Sequence, residues 1–178
     1  MKRFSFITQL ACLFLFSSLF SCNKLELSRE EAAKMLKSQL NLPKDEIKKI
    51  LLRDETGSFN MTRNFLKDLQ NSGLVSMESP TGYPNATITE NGMKYVKSKP
   101  HSTGNPYETG IDVLVASIDF GEITGIIINE GAKTAQVDYT LIRKVTPFGS
   151  SRQFKLQESP SNESKLFRKY DDGWRIQN

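Results

Sequence analysis

The chain opens on two cations, Lys2 and Arg3, and continues into an apolar run from Phe4 to Phe20 broken only by Ser5, Thr8, Gln9, Ser17 and Ser18. A short positive segment followed by an apolar one predicts a secretion signal. Beyond it, apolar positions recur at helical spacing. Ser28 with Glu31 three positions on predicts a capped helix start, and Ala32, Ala33, Leu36 and Leu40 fall on one face. Pro43 at a first helical position, Asp45 and Glu46 in a first turn, and the stripe Ile47, Ile50, Leu51 predict a second helix ending near Arg53. Met61, Phe65, Leu66 and Leu69 predict a third, stopped by Asn71-Ser72-Gly73.

The period then changes. Leu74 to Met77 and Ala86 to Ile88 read as short strands around the turn Pro80 to Pro84, and Thr89 to Val96 reads as a short helix. Residues 99 to 110, with Pro100, Gly104, Pro106 and Gly110, show no apolar period and predict a linker. Ile111 to Phe120 and Glu122 to Ile128 are strand-like on either side of Gly121, a bend or bulge position. In Thr134 to Ile142, residues Ala135, Val137, Tyr139 and Leu141 alternate with polar neighbours. Phe154 to Leu156 and Lys165 to Tyr170 suggest further strands, and Asp171-Asp172-Gly173 predicts a hairpin returning through Trp174 to Ile176. The expected class is α+β: a three-helix N-terminal module over residues 28 to 98, a linker, and an antiparallel β-meander over 111 to 178.

Composition narrows the chemistry. Of the two cysteines in the 178 residues, Cys12 lies inside the signal, so Cys22 is alone in the processed chain and no internal disulfide can form. The formal charge of +4 includes Lys2 and Arg3, which leave with the signal, so the remaining body is nearly balanced and calls for no polyanionic partner. The one histidine, His101, lies in the linker and reads as solvated. Nothing resembles a nucleophile elbow, a phosphate loop or a metal-ligand cluster, so no catalytic residue, metal or cofactor is expected. Phe120, Tyr139 and Trp174 are the candidates for a ligand or partner surface in the β half, against the plainer expectation that a small sheet uses them as core.

Three resemblances add to this reading. Leu19-Phe20-Ser21-Cys22 resembles the lipobox of bacterial lipoproteins. It implies cleavage between Ser21 and Cys22, acylation of Cys22, and residues 22 to 27 as a short tether to a membrane, held by two or three acyl chains. The implied location is the cell envelope, lipid-anchored, with the outer membrane favoured. Residues 28 to 98 resemble a winged helix through Gly73-Leu74-Val75 and Ile88-Thr89-Glu90-Asn91-Gly92. Many winged helices read DNA with the third helix, which here carries the mixed set Arg63, Asn64, Lys67, Asp68 and Gln70; an exported, anchored protein does not meet the chromosome, so no nucleic-acid partner is expected. Phe167 to Ile176 is similar to the last hairpin of cystatin-like and NTF2-like domains, which pack a helix on their sheet. Either the N-terminal helices supply that cover, or the β half is a different fold. The expected function is an envelope-anchored, non-enzymatic module that binds an envelope protein or serves as structure; the alternative is a carrier or sensor holding a small ligand in a groove of the β half.

Overall fold

A computed structural model describes residues 26–78 and 81–177. Ser21 and Cys22, where cleavage and lipidation are expected, lie outside the described residues. The first helix, α1 (Arg29–Gln39), begins as its capping sequence requires: the Ser28 hydroxyl accepts the Glu31 amide at 3.0 Å. There follow β1 (Lys44–Asp54), α2 (Phe59–Asn71), the hairpin β2 (Val75–Met77) and β3 (Ala86–Ile88), and α3 (Glu90–Met93). The chain finishes with β4 (His101–Ser102), β5 (Glu108–Asn129), β6 (Thr134–Val145), β7 (Ser159–Tyr170) and β8 (Gly173–Ile176). None of the described helices is long and apolar enough to cross a membrane.

The axis of the molecule is β5, 22 residues long. Its first half pairs with β1, from Asp54↔Glu108 to Lys44↔Ile118, and its second half pairs on the other edge with β6, from Ala116↔Val145 to Asn129↔Thr134. β7 and β8 extend the sheet in the order β1-β5-β6-β7-β8, each pairing antiparallel, while β4 pairs at the start of β5 through His101↔Gly110.

Three register slips, each adding one residue to β5 alone, decide which side chains the sheet buries. They fall at Val115 opposite Glu46 and Ile47, between Phe120 and Ile123, and between Ile123 and Gly125. Because strand side chains alternate with period two, an extra residue resets the phase. Ile111, Val113, Ala116, Ile118, Phe120, Ile123 and Ile126 therefore share one face although their spacing is irregular, and the bulges bend the sheet into a curled half-barrel. On its other edge the Val115 carbonyl accepts the Thr146 amide at 2.9 Å and its hydroxyl at 3.1 Å, continuing the pairing with β6.

Two apolar clusters line that face. Around the first half of β5, α2 lays Phe65, Leu66 and Leu69 over Ile50, Leu52, Ile111 and Val113, with Phe148 closing the side. Around the second half, α1 lays Ala32 and Leu36 over Ile123, Val137, Tyr139, Phe167 and Trp174. A first N-terminal helix thus covers the C-terminal meander.

The expected three-helix N-terminal module is not what forms. Lys44–Asp54, read as a helix from its Ile47, Ile50, Leu51 spacing, is the strand β1, and the described helices number three only with the four-residue α3 included. The reason is long-range: the first half of β5 offers an unpaired edge, and as a strand the segment turns Ile50 and Leu52 into the core beneath α2. The protein is consequently mainly β-sheet, with one sheet running through both halves of the chain. Within the segment expected as a linker, β4 pairs onto β5 and the Thr103 hydroxyl donates to Glu108 Oε2 at 2.6 Å. Phe154 to Leu156, expected as a strand, is irregular chain leaving a turn at Phe154, held by the Leu156 amide on the Gly149 carbonyl and by the Phe154 ring edge-on to Phe65 at 5.8 Å.

Candidate functional site

The three aromatic residues singled out in the β half lie in one cluster beneath α1. Tyr139 is 2% exposed and Trp174 5%, and Phe120 stacks on Tyr139 with ring centroids 6.0 Å apart. Trp174 Nε1 donates to the Glu26 carbonyl at 3.1 Å, and Lys37 covers the Phe120 ring at 5.3 Å. Burial, with the Glu163 carboxylate nearby, raises the Tyr139 phenol above its ordinary value. These side chains form a packed interior, with α1 occupying the space a ligand would need.

A cleft of about 600 Å³ opens elsewhere, between the end of β1, β3, α3 and the start of β5. Its floor is Leu52, Ala86 and Ile111, all buried; its walls are Ile88, Met93 and Val96. The elements around it are tied together by backbone. The Asp54 amide donates to the Pro84 carbonyl at 3.2 Å beside an Arg53↔Asn85 bridge, fixing β3 to β1. The Lys97 amide reaches the Asp112 carbonyl and the Leu114 amide the Tyr95 carbonyl, both at 2.8 Å, fixing the end of α3 to β5. Thr89 caps α3 by accepting the Gly92 amide and donates its hydroxyl to the Gly73 carbonyl at 2.6 Å. Gly92 itself presses on the hairpin: a Cβ there would lie 2.2 Å from the Leu74 carbonyl oxygen.

The charge of the rim is one-sided. Two cations, Arg53 and Lys99, line the cleft, and no carboxylate does. Arg53 is held by Glu55, with Nε 2.7 Å from Oε1. Lys99 has no ionic partner among the described residues, and only its carbonyl is engaged, by His101 Nδ1 at 3.1 Å. A volume in the range of small-molecule sites, an apolar floor and a single unpaired cation at the mouth suit a ligand with an apolar body and one negative charge.

Asp54, beside the cleft, is fully buried but committed to structure. Burial pushes its carboxyl up, and the Thr56 hydroxyl, the Thr62 hydroxyl and the Thr56 amide outweigh that and hold it below the ordinary carboxylate value. Both its oxygens are occupied, by Thr56 at 2.6 Å and Thr62 at 2.6 Å, which ties the end of β1 to α2. Among the described residues no three His, Cys, Asp or Glu side chains converge as a metal site would need.

The cleft residues carry no motif in the sequence. They come from four elements spread between Leu52 and Ile111, and the nearest signal was the apolar Met93 at the end of α3 with Val96 just beyond it, on a helix too short to need them for its own core. Compared with known proteins, the chain matches no family model, no curated protein and no solved structure.

Proposed function

We propose that the protein is a lipid-anchored, non-enzymatic binding protein of the cell envelope, and that its ligand is a small amphipathic anion held in the cleft of Leu52, Ile111, Met93 and Lys99. The anchor reading rests on the lipobox-like Leu19 to Cys22. The observation that carries the binding reading is the cleft: apolar at its floor, cationic at its mouth, and framed by backbone hydrogen bonds. It moves the small-ligand reading ahead of protein docking and moves the site away from Phe120, Tyr139 and Trp174, which α1 covers.

The test uses the chain from Asn23 onward, in which both apolar clusters, drawn from Leu27 to Trp174, are complete. Titration calorimetry with decanoate should give saturable binding at one site. Lys99→Glu should weaken it about fivefold, the scale of one partly exposed charge pair. Met93→Asp, which places a like charge in the wall, should weaken it further. Decyltrimethylammonium binding as well as decanoate, or decanoate binding that neither substitution changes, would remove the reading.

Protein docking is the second reading, and the outer face of the sheet favours it. Ile127, 63% exposed, and Leu166, 44% exposed, stand in one row on either side of Gln136, a short apolar strip on an uncovered face. A partner engaging that strip would be lost from the chain carrying Ile127→Lys and Leu166→Lys and kept by the cleft variants.

A further inference from the structure

The end of the sheet opposite the cleft carries a second concentration of charge. There the β5–β6 turn and the β7–β8 turn come side by side, joined by the Lys169 amide on the Lys133 carbonyl at 2.8 Å. Between them lies a mainly polar hollow of about 370 Å³ lined by Lys133, Arg168, Lys169 and Tyr170, with Asp171 as its one carboxylate. Around it, Asp172 is paired with Arg175, and Glu130 sits in the β5–β6 turn. The cations lie against aromatic rings: Lys169 is 5.7 Å from the Trp174 ring, and Arg168 and Arg175 are 5.9 and 5.1 Å from that of Tyr170. Tyr170 is exposed.

The chain enters the body at this same end. The Glu26 carbonyl is bonded to Trp174 Nε1, Leu27 is buried, and Arg29 Nη1 donates to the Ile123 carbonyl at 2.6 Å. Glu26 lies four positions after Cys22, and even fully extended that stretch reaches only roughly 14 Å. A lipid on Cys22 therefore keeps Glu26, and Trp174 bonded to it, within about the length of that tether from the bilayer surface.

We infer that this end of the sheet faces the bilayer holding the anchor, and that Lys133, Arg168 and Lys169 take up phosphate groups of its lipid headgroups. The inference rests on the lipid-anchor reading. Basic side chains on a membrane-facing surface add attraction to anionic headgroups, and aromatic rings beside them suit the interface between water and acyl chains. The hollow supplies both, with three cations against one carboxylate. One consequence joins the two ends of the molecule. β5 starts at the cleft with Thr109 and Ile111 and ends at the membrane-side turn with Asn129, so it holds the cleft away from the bilayer by up to roughly 60 Å along the strand.

Trp174 is the chain's only tryptophan, so the acylated protein carries its own probe. In phosphatidylglycerol/phosphatidylcholine vesicles containing a headgroup nitroxide lipid, its fluorescence should be quenched. Quenching should fall when Lys133, Arg168 and Lys169 are all replaced by Glu. The unacylated chain from Asn23 should bind phosphatidylglycerol vesicles weakly, lose about tenfold or more with the same triple substitution, and ignore pure phosphatidylcholine. An acylated protein whose Trp174 is unquenched, or a triple variant that binds and quenches as the parent does, overturns the inference. Failure of the anchor itself would appear separately, as absence of fatty acid on Cys22, and the vesicle binding of the unacylated chain is measured independently of it.

Discussion

Trp174 Nε1 donates to the carbonyl of Glu26 at 3.1 Å, joining the residue that leads into α1 to the last strand across 148 positions of sequence. The bond closes the cluster in which α1 covers the meander, and it satisfies an indole N–H that would otherwise be buried unpaired. Trp174→Phe should lower the stability of the chain from Asn23 by about 1 kcal/mol, and Trp174→Ala by about 3–5 kcal/mol through the lost packing. Urea unfolding measures both; equal effects of the two substitutions would show that the ring's volume contributes little.

Deletion of Val115 tests what the first bulge contributes. Without that residue Ile111, Val113, Ala116 and Ile118 alternate regularly opposite β1 and stay on one face, so the loss is that of the fully buried Val115 side chain. The expected result is cooperative unfolding at a lowered urea midpoint, with near-ultraviolet circular dichroism retained. Loss of cooperative unfolding would show that the strand cannot pair on both edges without its bulge.

Gly92→Ala should disturb the cleft without touching its lining chemistry. The added Cβ would meet the Leu74 carbonyl oxygen at 2.2 Å, so α3 must move away from the hairpin. Stability should fall by about 1–3 kcal/mol, the range for overpacking, and decanoate binding should fall with it. Calorimetry and urea unfolding on the same sample check the pair; unchanged binding would place the ligand elsewhere.

Asp54 predicts an acid limb in stability. Its carboxyl is held below the ordinary carboxylate value in the folded protein, so its contribution is fully present above that ordinary value, about 4, and is lost as the pH falls through the depressed folded value. The urea midpoint should therefore drop below about pH 4. Thr62→Val, which removes one donor to the carboxylate, should lower the midpoint at neutral pH and shallow the acid limb. An acid limb identical in parent and variant would assign the transition to other groups.

Cys22→Ser should abolish incorporation of labelled palmitate and leave an unprocessed precursor. Labelling that survives the substitution would place the acyl group on another residue and remove the anchor from this account.

Local signals were readable because local hydrogen bonds and dihedral limits enforce them. Ser28 caps α1 through a bond to an amide three residues on; Gly73, at φ 71, follows α2 as a helix stop; Asp171-Asp172 closes a hairpin with Tyr170 opposite Gly173. Each needs only its neighbours. The second predicted helix failed because Lys44–Asp54 carries good helix formers at helical spacing, and nothing within the segment records that β5, more than fifty positions later, has an open edge for it. The irregular spacing from Val113 to Ile126 likewise makes sense only with β1 and β6 alongside, since a bulge is defined by the partner strand it slips against. Phe120, Tyr139 and Trp174 were recognisable as large apolar side chains, but whether they line a groove or fill a core depended on where α1 came to rest. The sequence by itself determined where the chain caps, turns and stops. The tertiary structure decided which edges pair, which face is buried, and hence where a cleft is left open, because those outcomes come from burying surfaces contributed by residues far apart along the chain.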